Sequence, residues 1–230
     1  MNFTFNSYKK IFQIALEQDY SVITLKEFFS NEFDKNKKIL INRIDVDFKI
    51  DRLNHIYEIF KDLNITASIY VRLHSPNYNL LTIGNIRIIQ KLIDIGCEIG
   101  LHTELEDVGN YCNIDKQELL KKEIQLFETI FQTKIFGTAS HGDMTPHNNL
   151  DFWENNEPKD FGLMYEAYDK RLWNHCRYVS DSEWVQWKAY ENGIRLDDDR
   201  RTPLEHLQET PPIFHLLTHP ESWYNEYIHE

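Results

Sequence analysis

The sequence has no apolar run approaching the eighteen or so residues of a membrane span. Its start, MNFTFNSYKKIF, lacks the basic-then-apolar layout of a secretory leader. These absences predict a chain that does not span a membrane and works in the cytoplasm. Cysteine is scarce: Cys97, Cys112 and Cys176 show no CxxC spacing and read as reduced packing residues, not as disulfides or a thiolate metal site. Lys and Arg form no run, and a formal net charge of -12 is the wrong sign for neutralising phosphates, so nucleic acid is excluded as a partner. No repeat and no low-complexity linker divides the 230 residues, a length that buries a large core, and the reading is one domain over 1–230. Oligomeric state leaves no mark on the sequence.

What is present is an alternation. KKILINRID is a short Ile-rich run, and after it Ile50, Leu53, Ile56, Ile59, Phe60 and Leu63 recur at helical spacing, so a strand is followed by a helix. The pattern repeats with a strand over Ile65 to Leu73, a helix over Ile83 to Ile95, and the strand CEIGLH entered after the helix-ending Gly96. A charged amphipathic helix from about Ile114 to Phe131, capped by Asn113 or Asp115, leads into the strand TKIFGTASH. Successive units of this kind predict a parallel sheet covered by helices. From Gly142 to Pro212 the pattern loosens into short segments before a last strand, PIFHLLTHP, while the first thirty or so residues read as a helical prefix packed on the main fold.

The stretch INRIDVDFKI poses a chemical question, because Asp45 and Asp47 sit where an apolar run stops. A buried unpaired carboxylate costs several kcal/mol, so cations, donors or a metal must await the pair. In parallel α/β folds the loops after the strands converge at the strands' carboxyl ends. Four such ends carry Asp45 with Asp47, His102, His141 and His219, a set with the composition of a metal site that has acid and base groups to spare.

The motifs RIDVD, EIGLHTE, SHGD and LLTHPESW, in that order and with these gaps, resemble those of the polysaccharide deacetylase family (carbohydrate esterase family 4, the NodB homology fold). More narrowly they resemble a branch whose first motif is Arg-His-Asp-Val-Asp, and YVSDSEW also resembles a motif of that branch. The resemblance implies an α/β fold, a distorted (β/α) barrel of about seven parallel strands over residues 37–223, with 1–36 as the helical prefix. It implies one divalent ion, zinc first, and hydrolysis of an N-acetyl or other N-acyl group from an amino sugar. The sugar would be an intermediate of surface polysaccharide or glycoconjugate synthesis, nucleotide-linked or lipid-linked.

Carried over by position, Asp47 and His102 would ligate the metal and Asp45 would be the base. The third ligand is His141, with Glu106 as the alternative because it stands four residues after His102. His219 would protonate the leaving amine, with Asp181 as an orienting partner, and the Gly142 region would supply a backbone N–H to the oxyanion. Ile44 replaces the histidine usual in the branch, and the family's RxPY motif is absent unless SHGD stands in for it.

Each residue also has a plainer role open to it. Asp45 or Asp47 could cap the helix starting near Phe48, though only one of the two can. His102 and His141 could be hydrogen-bonded strand-end or loop residues. Arg43 alternates with apolar strand positions and so reads as a buried partner for a site carboxylate ahead of a substrate contact, its second role. Of the five tryptophans, Trp184 and Trp223 adjoin site-like motifs and are the first candidates for walls on which a sugar ring stacks. The rival to the enzyme is a degenerate barrel that binds carbohydrate or serves as a scaffold; retention of both Asp45 and Asp47 speaks for the enzyme.

Overall fold

A computed structural model describes residues 2–142, 145–183 and 186–226. Helix α1 (Phe5–Glu17), strand β1 (Tyr20–Ile23) and the short helix α2 (Leu25–Ser30) precede the long strand β2 (Lys38–Val46). Then come α3 (Leu53–Leu63), β3 (Ser68–Val71), α4 (Ile83–Asp94), β4 (Glu98–Thr103), α5 (Leu105–Cys112), α6 (Lys116–Phe131) and β5 (Gly137–Ser140). The rest comprises β6 (Tyr165–Glu166), α7 (Lys170–Trp173), β7 (Arg177–Ser180), β8 (Lys188–Glu191), β9 (Ile194–Leu196), α8 (Pro203–Gln208) and β10 (Ile213–Thr218).

These strands form one sheet in the order β6-β5-β4-β3-β2-β10-β7-β8-β9. Pairing is parallel from β6 through β7, and the β7-β8-β9 edge is antiparallel. Strand β1 pairs with Lys38–Ile41 of β2, while β3 pairs with Arg43–Val46. With β10 along the other edge of β2, β1 and β3 lie end to end on one side of it. The prefix is therefore not wholly helical, since it contributes a strand to the sheet.

Strand β2 reads as a near-continuous apolar run because both its faces are buried. Ile39 and Ile41 join Ile23, Leu25, Tyr70, Tyr165 and Leu217 in an inner cluster. Leu40, Ile44 and Val46 join helix residues such as Phe12, Ile56 and Phe60 in an outer one. Period-two alternation then turns Arg43 and Asp45 inward. On α3 the apolar spacing puts Leu53, Ile56, Ile59 and Phe60 in the buried stripe. Full burial of each such side chain contributes roughly 1.5–3 kcal/mol.

The expected distorted barrel is present but not closed. The sheet curls around its inner cluster but β6 and β9 do not pair, so it stays an open barrel. Strand β6 has only two residues and offers little ladder. Ring contacts instead join the segment after β6 to the far edge: Trp173 packs on Tyr178 and Tyr190, and Tyr168 on Tyr178. Two glycines make room inside the curl, since a Cβ on Gly137 would lie 2.1 Å from the Tyr165 ring and one on Gly100 2.7 Å from that of Tyr70.

Local signals resolve two open points. Asp115, not Asn113, caps α6, its Oδ1 accepting from the Glu118 N–H at 2.8 Å, while Asn113 ends α5 in the left-handed region. Neither Asp45 nor Asp47 caps a helix: a 3-10 turn over Ile50–Arg52 intervenes and α3 starts only at Leu53, both without a side-chain cap.

Candidate active site

The capping role being closed to them, Asp45 and Asp47 turn into a cleft of about 480 Å³ at the carboxyl ends of the strands. His102, His141 and His219 line the same cleft. Five residues from four separate strand ends thus converge, as the parallel topology requires of side chains placed just past those ends.

Asp45 is buried, and the equally buried Arg43 two residues before it donates to both its oxygens, Nε to Oδ1 at 2.9 Å and NH2 to Oδ2 at 2.7 Å. The guanidinium also lies over the Tyr168 ring at 4.5 Å. Burial alone would raise the Asp45 pKa, but Arg43 and then His102 hold it below the ordinary carboxylate value. Arg43 does not line the cleft; it positions Asp45 and is no substrate contact, which corrects that part of its expected role.

Asp47 is less enclosed, yet its Oδ1 is buried and accepts no hydrogen bond. His102 Nε2 lies 3.3 Å and His141 Nε2 3.5 Å from that oxygen, and the two imidazoles meet edge to face at 5.0 Å. His102 Nδ1 is 2.8 Å from the Ala139 carbonyl, so Nδ1 carries the proton and Nε2 is left as a ligand atom. Burial opposes ionisation of Asp47, but His102, His219 and His141 hold its pKa well below the carboxylate range. Burial, helped by His102, pushes His141 down to about 4, which leaves its imidazole neutral.

One ligand atom from each of Asp47, His102 and His141 lies within 4.8 Å of the other two. Tetrahedral zinc with bonds of about 2.1 Å separates its donors by about 3.4 Å, close to the spacings here. A buried carboxylate oxygen without a donor and two imidazole nitrogens aimed at it are the donor set such a cation fits.

Two further groups flank this set. His219 is fixed by the buried Asp181, which accepts from its Nδ1 at 2.7 Å and from its backbone N–H at 3.1 Å. Burial would lower the His219 pKa, but Asp181 above all, then Asp47 and Asp45, lift it to about 10. The ring is an imidazolium at neutral pH, with Nε2 3.9 Å from Asp47 Oδ2. Behind His141, its Nδ1 has no hydrogen bond and lies 3.7 Å from Glu104 Oε1. Glu104 in turn takes two bonds from Arg72, at 2.6 and 3.2 Å.

Several expected members take other places. Glu106 falls in the first turn of α5, where Lys116 and Asn110 bind it, so the helix carries it away from the three convergent ligand atoms. Trp223 is fully buried against Phe3, Tyr8 and Trp187 and forms no stacking wall; its Nε1 donates to Asp181 Oδ2 at 3.1 Å and so braces the partner of His219. Trp184 lies outside the described residues. Gly142 lines the cleft. Ile44 sits in the outer cluster, on the face of β2 opposite Asp45, so the residue at that position does not reach the cleft.

The sequence reading passed over Glu104, Arg72, Lys188 and Glu221. Glu104 was accessible, standing two residues after His102 and so on the same side of the strand end. Lys188 was accessible through Asn192-Gly193, a two-residue hairpin signal whose φ values of 50° and 81° mark the mirror-image turn that joins β8 to β9.

No protein-family model matches the sequence, and no curated protein is similar to it. Solved structures with some likeness include BA3943 of Bacillus anthracis, described as a CE4 family pseudoenzyme, at 16% identity and a TM-score of 0.49, over 81% of this chain and 56% of that one. Another is the Streptococcus pyogenes deacetylase PplD in complex with acetate, at 15% and 0.46 over 64% and 66%. A third is a family 4 carbohydrate esterase from Bacillus anthracis, at 11% and 0.45 over 89% and 74%. The chain spans 56–58% of the length of the BA3943 structures. Likeness of this degree to CE4 proteins leaves the chemistry to the residues of the cleft itself.

Proposed function

We propose that this chain is a metal-dependent hydrolase that removes an N-acetyl or other N-acyl group from an amino sugar. The observation that carries the reading is the convergence on one cleft of a donor-poor ionised carboxylate, two imidazoles aimed at it, a second carboxylate and a protonated imidazole. Zinc is the ion we assign, because one carboxylate and two imidazoles with an open fourth position match its catalytic sites. Asp47, His102 and His141 would hold it. Once bound, such an ion lowers the pKa of water towards about 7 and stabilises negative charge developing on an acyl oxygen.

The remaining steps belong to the chain's own groups. Asp45, kept ionised by Arg43, takes a proton from water as the water oxygen attacks the amide carbon; each of its oxygens keeps a lone pair beyond its bond to Arg43. His219 holds its proton on the cleft side because Asp181 engages Nδ1, and it gives the Nε2 proton to the amide nitrogen. The C–N bond then breaks to release a neutral amine and a carboxylic acid, the acid ionises in solvent, and a proton passed from Asp45 to His219 through solvent resets both groups. The substrate class the motifs imply is an intermediate of surface polysaccharide or glycoconjugate assembly, nucleotide-linked or lipid-linked.

A screen of N-acetyl amino sugars for released acetate, with zinc supplied, tests the reading. Turnover that disappears in both Asp45→Asn and His219→Gln supports it. Sugar binding without turnover in the wild type would leave only the binding-scaffold function.

A further inference from the structure

Lys188, the first residue of β8, lines the cleft yet has no ion pair or side-chain hydrogen bond among the described residues. Its direction follows from register. Lys188 stands opposite Ser180, Ser180 opposite Leu217, and Leu217 opposite Arg43. Directly paired residues share a face, so this row carries Lys188 on the same inner face as Arg43.

The acidic groups around it are engaged elsewhere. Asp45 is bound by Arg43, and Asp181 by His219 and Trp223. Glu183, five residues before it, is bound by Arg195 and Arg200. Glu221, also in the cleft wall, has a buried Oε2 without a hydrogen-bond partner, and burial pushes its carboxyl up to about 7 against the pull of His219, so it is not tied to Lys188. Lys188 itself is half-buried, and burial, with Arg195 and Arg43, lowers its pKa against the pull of Glu183 and Asp181. A partly desolvated ammonium that faces a cleft and lacks a counter-ion among the described residues is complemented by what enters the cleft.

We infer that Lys188 is an anion subsite and that the sugar taken by this cleft carries a single carboxylate near its N-acyl group. A lysine offers one compact charge without the bidentate fork that suits phosphate. His219, the other cation lining the cleft among the described residues, is already paired with Asp181, so the second charge of a dianion would go unmatched. The inference deepens the proposed deacylase and rests on it for the identity of the reacting group.

The test is calorimetric titration of the whole chain with three sugars: neutral N-acetylglucosamine, N-acetylmuramic acid with its lactyl carboxylate, and N-acetylglucosamine 6-phosphate. The carboxylate sugar is expected to bind about tenfold tighter than the neutral one, a preference lost in Lys188→Met and kept in large part by Lys188→Arg. Neutral-sugar affinity should be unchanged in both variants, which shows that the cleft remains folded. Equal affinities, no binding of any sugar, tightest binding of the phosphate, or a preference that survives Lys188→Met each overturns the subsite. Acetate release separates the two ideas. A Lys188-dependent carboxylate preference with no acetate released retains the subsite and removes the deacylase, and acetate release without any Lys188-dependent preference for the carboxylate sugar does the reverse.

Discussion

Two carboxylates at opposite ends of the same curled sheet, each with a buried oxygen, behave in opposite ways. At the amino ends of the strands, Glu98 accepts from Ser68 Oγ at 2.5 Å, from the Lys26 N–H at 2.9 Å, and from Tyr165. Tyr165 bonds on to Tyr70 at 2.8 Å, and Ser68 Oγ also accepts from the Leu25 N–H at 2.7 Å, so α2 of the prefix docks on this network. Burial outweighs these hydrogen bonds and raises the Glu98 pKa. At the carboxyl ends, Asp47 Oδ1 accepts nothing and faces two imidazoles, and cationic neighbours lower the Asp47 pKa. An enclosed oxygen is common to both. What separates them is saturation by neutral donors at one end and an unfilled oxygen among ligand atoms at the other, and only the second arrangement can gain a further partner.

The sharpest way to break this contrast is through the chemistry at the upper end. Asp45→Asn keeps shape but removes the base, and acetate release should fall by about 10²–10⁴-fold with metal content unchanged, measured by steady-state kinetics beside elemental analysis. Full activity in that variant would put the base elsewhere. Next in size is Arg43→Met, which leaves Asp45 buried without its cation and should cost about 3–5 kcal/mol in urea unfolding. A loss under about 1 kcal/mol would mean that Asp45 finds solvent or another donor.

A third effect lies among histidines the site does not use. Burial first of all pushes His215, in the interior, down to about 3 and His206, on the buried side of α8, down to about 4, against an ordinary value of 6.5. As pH drops below 6.5 the unfolded chain takes up protons that these two refuse. Their contribution to stability is therefore fully present above 6.5 and declines on acidification, by up to about 1.4 kcal/mol per pH unit per group. Unfolding midpoints at pH 7 and pH 5 check this, and His206→Gln should flatten the ramp. Smallest is Glu98→Gln: an amide in place of a carboxyl whose pKa is already raised should shift stability by about 1 kcal/mol or less and leave activity alone. A large loss of activity would tie the lower network to the chemistry and dissolve the distinction between the ends.

Legibility in the sequence followed the same divide. The Asp45/Asp47 pair on alternate positions of an apolar strand and the histidines at later strand ends were readable because period and position alone place them. The choice between Glu106 and His141 was not, because it depended on whether a helix begins at Leu105 and rotates Glu106 off the cleft. Trp223 could not be told from a stacking wall, since burial of an indole is decided by what the prefix packs against it, here Phe3 and Tyr8. The strand β1 was missed because four residues between two helices carry too little period. The open edge leaves no mark on the sequence, because closure depends on the length of β6, set by tertiary contacts.

The account stands most directly on metal stoichiometry, measured by elemental analysis after reconstitution with zinc and removal of free ion. It predicts about one ion per chain, retained in Asp45→Asn and Glu98→Gln and lost in Asp47→Ala and His102→Ala. No bound ion in the wild type, or an ion that survives Asp47→Ala, would contradict it.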